Sequence, residues 1–80
     1  MAKTLYDMAL TSSLNSRVTA RKESGLRCDD IGIVEELRYQ LENASWNMED
    51  DPEYWGQIMK DCKRLLNTQR ARTALANGWA

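Results

Sequence analysis

Two cysteines, Cys28 and Cys62, and the acidic run Glu49, Asp50, Asp51 and Glu53 are the residues of this 80-residue chain best suited to chemistry. A thiolate can serve as a nucleophile or metal ligand, and clustered carboxylates can hold a hard cation. Neither constellation is complete. The sequence has no histidine, which removes the commonest general base and the commonest metal ligand. Two cysteines cannot close a four-ligand Cys/His zinc site within one chain. No activating base is legible beside Cys28, and Cys62 falls at the centre of an apolar stripe, where it reads as a small hydrophobe. The acidic run lacks the D-x-D-x-D-G spacing of a calcium loop. Helix capping and dipole compensation account for its members. Gly25, Gly32, Gly56 and Gly78 are scattered singly, so there is no glycine-rich phosphate loop. The sequence predicts no enzyme, cofactor, metal or small-molecule substrate.

The charges as a whole are sorted by position. Residues 3–27 carry five bases and two acids, residues 28–54 nine acids and one base (Arg38), and residues 55–80 five bases and one acid (Asp61). Such a pattern can close on itself when the chain folds, or meet a charged partner. Lys60, Lys63, Arg64, Arg70 and Arg72 are the candidate phosphate contacts of a nucleic-acid-binding regulator, because each such contact releases condensed counterions. The net charge of −1 and pI near 5.3 weigh against that alternative.

Eighty residues fit one domain, and a chain this short buries only about 60% of its unfolded surface. Small scaffolds offset a marginal core with disulfides, a metal or association with another chain. Two cysteines and no legible secretory signal point away from disulfides. No run approaches the roughly 18 apolar residues that span a bilayer. A cytoplasmic protein without membrane contact is expected, with association as its route to extra stability; a homo-oligomer is one form of that.

The elements that must position these residues are helices. Asp51-Pro52 supplies an N-cap and a first helical residue without a free N–H. From there Trp55, Ile58, Met59, Cys62, Leu65, Leu66, Gln69, Thr73 and Ala76 recur at spacings of three and four. That spacing predicts one long helix over about 52–76, stopped by Asn77-Gly78. Val34, Leu37, Leu41 and Ala44 predict a helix over about 30–45, capped by Asp29 or Asp30. The short connection predicts that these two lie antiparallel. Thr4 and Asp7 form a capping pair for a first helix over about 4–23, weakened near Ser13 and ended by Ser24-Gly25. The predicted fold is all-α: a three-helix bundle with an antiparallel second–third hairpin and a long C-terminal helix.

A third helix of that length overhangs the second by about ten residues, or roughly 15 Å. Ala71, Ala74 and Leu75 lie off its main stripe, and Trp79 follows, so the overhang needs cover on a second side. On the second helix, Glu35, Tyr39, Glu42 and Trp46 fall opposite the core stripe, and exposed aromatics suit an interface centre. The expected protein-binding residues are therefore Tyr39, Trp46, Ala71, Ala74, Leu75 and Trp79. The expected function is non-catalytic binding to a larger protein, as an accessory adaptor or inhibitor of the kind carried by phages and mobile elements. A purely self-assembling structural subunit is the other alternative.

Overall fold

The computed structural model describes residues 3–78. Every regular element within them is helical, in five segments: α1 (Leu5–Leu10), α2 (Asn15–Glu23), α3 (Asp30–Trp46), α4 (Pro52–Leu66) and α5 (Gln69–Gly78). No helix among the described residues is long and apolar enough to cross a membrane. The all-α expectation holds; the three-helix count does not.

The starts of the helices follow local chemistry. Thr4 Oγ1 accepts from the Asp7 amide while Asp7 accepts from the Thr4 amide, which satisfies two free donors at the head of α1. Asp29 accepts from Gly32 N at the head of α3, and Asp51 from Tyr54 N ahead of Pro52 in α4. At the end of α2, Gly25 adopts φ 78°, the left-handed conformation that a side chain disfavours. Leu26 N bonds to Arg21 O and Gly25 N to Lys22 O, closing the paired C-terminal bonds that need that conformation.

Both breaks come from hydroxyls that compete for backbone groups. Thr11 Oγ1 and Ser12 Oγ bond back to the Met8 and Ala9 carbonyls, and Ser12 Oγ accepts from Leu14 N. The first predicted helix is thereby split into α1 and α2, at the weak point read near Ser13. The second break overturns the continuous helix over 52–76. Thr68 Oγ1 donates to Leu65 O and accepts from Ala71 N, so it both closes α4 and caps α5. Arg72 reaches back to Asn67 Oδ1 at 2.6 Å and holds the corner.

Because α5 starts afresh, its phase is no longer that of α4. Gln69, Thr73 and Ala76, expected on the apolar stripe, are exposed. Ala71 and Ala74, expected on an overhang, are 0% and 4% exposed and belong to the core. There is no overhang: α5 packs on α3.

α3 is the central element and touches α1, α4 and α5. Its buried face, Ile33, Val34, Leu37 and Ala44, meets Leu5 and Ala9 of α1, Leu14, Val18 of α2, Ile58, Cys62 and Leu65 of α4, and the two alanines of α5 in one core. Small side chains on α5 let it lie close. Gly32 serves the same purpose at the start of α3, where a Cβ would stand 2.3 Å from the Arg27 carbonyl oxygen.

Candidate functional site

The charge sorting is answered in part inside the fold. Arg21 of α2 binds Glu36 at 3.1 Å and reaches Glu35 at 3.8 Å, while its Nε donates to the Arg27 carbonyl. Arg27 pairs with Asp29 at 2.6 Å, and Arg70 of α5 stands 2.6 Å from Asp30. The basic wings thus fold onto the first half of the acidic middle. The Arg27 hydrogen bond also holds the Asp29 carboxyl below its usual range, supporting the α3 cap in its charged form.

Arg17 is held differently. Nη1 donates to Gln40 Oε1 at 3.0 Å, Nη2 donates to Tyr54 Oη at 2.8 Å, and the guanidinium lies 4.9 Å from the Trp55 ring centroid. A guanidinium over indole is a favourable cation–π geometry. One side chain therefore ties α2 to both α3 and α4.

The five nucleic-acid candidates divide between α4 (Lys60, Lys63 and Arg64) and α5 (Arg70 and Arg72). Arg70 turns to Asp30, Arg72 to Asn67, and Arg64 to Asp61 at 3.5 Å. Lys63 lines one groove and Arg70 lines another. Lys60 and Lys63 are exposed on α4.

The two cysteines sit in different surroundings. Cys62 is fully buried, and burial, reinforced by nearby Asp61, pushes its thiol up to about 12. Cys28 is half-buried, and its thiol faces the Leu26 carbonyl at 3.5 Å. Among the described residues no three His, Cys, Asp or Glu side chains gather as a metal site would need.

What the helices do build is a groove of about 820 Å³ between α3, α4 and α5. Its apolar lining is Tyr39 and Leu41 from α3, Met59 and Leu66 from α4, and Leu75 from α5. Charged groups stand along the rim: Glu35, Arg38 and Glu42 on α3, and Lys63 on α4. Tyr39 is 64% exposed, and Trp46, two turns along the same outer stripe, is 78% exposed. The corner at Thr68 makes this groove, because it brings Leu75 back beside the α3 stripe. Two predicted protein-binding residues, Tyr39 and Leu75, therefore meet in one groove, with Trp46 on the same helix. Ala71 and Ala74 do not join them, since both are core residues, and Trp79 lies outside the described residues.

Leu41, Met59 and Leu66 were legible only as core stripe positions. All three are half-buried, at the flank of a stripe too wide for one partner helix to cover. A larger groove of about 890 Å³ runs between the start of α1, the start of α3 and α5. Its lining mixes Met8, Cys28, Ile31 and Ala74 with polar side chains, and Asp30 and Arg70 are already paired there. No family model, curated protein or solved structure matches the chain.

Proposed function

We propose that this chain is a non-catalytic protein-interaction module whose docking face is the α3–α4–α5 groove. The observation that carries this reading is the apolar floor of Tyr39, Leu41, Met59, Leu66 and Leu75 beside a Trp46 left 78% exposed. A large exposed aromatic beside an apolar groove is the composition of an interface centre rather than of an ordinary solvated face. We read α3 and α4, joined by a five-residue turn, as the antiparallel hairpin that gives the face its rigidity. The charged rim would orient a partner and set its approach more than it supplies affinity. The module acts as a small adaptor or inhibitor.

Photo-crosslinking in the cells that make the protein tests this. A photoreactive residue at position 39 or 75 is expected to give discrete covalent protein adducts, and one at position 20 on the far helix α2 none. Absence of adducts at both groove positions overturns the reading. Leu75→Glu should also abolish the adduct at position 39 while leaving the helical circular dichroism signal intact.

A further inference from the structure

We infer that the groove's occupant is a second copy of this chain, docked groove to groove about a two-fold axis that runs along the groove. The inference rests on the groove being a protein-binding face, and adds which protein fills it.

Charge is the first argument. The charged lining, Glu35, Arg38, Glu42 and Lys63, sums to zero, so a strongly basic or strongly acidic partner gains nothing from the groove as a whole. The zero is not evenly spread. The α3 wall carries two acids against one base, and the α4 wall carries Lys63, with exposed Lys60 one turn before it. A two-fold rotation about the groove's own long axis exchanges left and right walls. It sets the acidic wall of one copy over the basic wall of the other, twice over. A two-fold axis across the groove would set acid over acid. The walls are thus complementary to themselves in one arrangement, which is the requirement of an isologous dimer.

Area is the second argument. A Tyr or Trp side chain buries about 150–250 Å² when covered. The exposed parts of Tyr39 and Trp46 (64% and 78%) therefore offer each copy on the order of 250 Å². That is close to a third of the roughly 800 Å² per partner of a standard interface, before the rest of the groove floor is counted. In a two-fold dimer each aromatic is used twice, so a small chain gains the apolar cover that its own length cannot supply.

Sedimentation velocity on the full chain, from low micromolar to about 100 µM, is the test, since an affinity of the micromolar class populates the dimer in that range. The expected result is a monomer–dimer equilibrium. Glu42→Lys and Lys63→Glu, both at exposed positions, should each weaken self-association on the order of tenfold or more through like-charge contacts. Mixed in equal amounts, the two variants should form a heterodimer, because both 42–63 contacts between chains then join opposite charges while each chain keeps its own like-charged pair. A wild-type chain that stays monomeric throughout, or a mixture that fails to recover, overturns the inference. A monomer whose position-39 crosslinker captures a different protein overturns the second copy and leaves the docking face standing.

Discussion

Ser13 and Asp61 lie 48 residues apart in sequence and share two hydrogen bonds: Asp61 Oδ2 accepts from the Ser13 amide at 3.0 Å and from its hydroxyl at 2.5 Å. The carboxylate is 6% exposed, and its other oxygen accepts from Gln57 Nε2 at 3.1 Å. The only acid of the basic C-terminal third is thus the clamp that fixes the α1–α2 corner to α4. Burial alone would raise its pKa; the Ser13 hydroxyl and amide, the Gln57 amide and Arg64 outweigh that and hold it below the ordinary 3.8.

Asp61→Ala should destabilise the fold by about 1–3 kcal/mol, the cost of leaving the Ser13 amide without an acceptor in a half-buried corner. Asp61→Asn keeps an acceptor oxygen and should lose less. Urea denaturation at neutral pH measures both. The pH dependence has a definite sign. A depressed carboxyl stabilises the fold fully above its unfolded pKa and loses that contribution as pH falls through the lower folded value. The stability gap between wild type and Asp61→Asn should therefore be constant above about pH 5 and narrow below it. A gap that widens in acid would refute the assignment.

Thr68→Ala removes the hydroxyl that caps α5 and should cost about 1 kcal/mol. Native-state hydrogen exchange should show the loss in α5 first, with the α3 amides little changed. Uniform acceleration across both helices would mean that the corner is not a local feature.

The glycines of α3 and α4 should respond in opposite directions to the same substitution. Gly32→Ala places a Cβ 2.3 Å from the Arg27 carbonyl oxygen, and the displaced backbone should cost about 1–3 kcal/mol. Gly56→Ala meets nothing nearer than Met48 Sδ at 4.0 Å and should add about 0.5–1 kcal/mol by raising helix propensity. Thermal unfolding of the two variants side by side checks the sign of each.

Cys28 should react with a thiol reagent at pH 8 in the folded protein, and Cys62 should not. The Cys62 thiol is fully buried, with its pKa pushed up to about 12, so both thiolate and access are missing. Intact-mass measurement should show a single label in buffer and a double label in denaturant.

Helix heads were readable because their chemistry is local. Thr4-Asp7, Asp29 and Asp51-Pro52 each cap the helix that the sequence assigns to them. The α1–α2 break was readable as a weakness for the same reason. The Thr68 corner was hidden because neither glycine nor proline marks it, and because Gln69, Thr73 and Ala76 continued the spacing of α4 by coincidence. A threonine three residues before an alanine amide is a common sequence, and only folding decides whether its hydroxyl caps a new helix. Tyr39 and Trp46 were readable as outward-facing from α3 alone. The groove beside them was not, since it depends on Leu75 returning to α3 across that corner. The Ser13–Asp61 clamp and the Arg17 tie between three helices are long-range pairings that no local spacing encodes.

Asp30 stands at the first turn of α3 and spends its two oxygens at opposite ends of the chain: Oδ1 accepts from Leu5 N at the head of α1, and Oδ2 meets Arg70 of α5. One carboxylate thus fastens α1 and α5 to the same point of α3. Loosening α1 or α5 strips a partner from the post that secures the other, so the two helices should melt together, and Asp30→Ala should be felt at both.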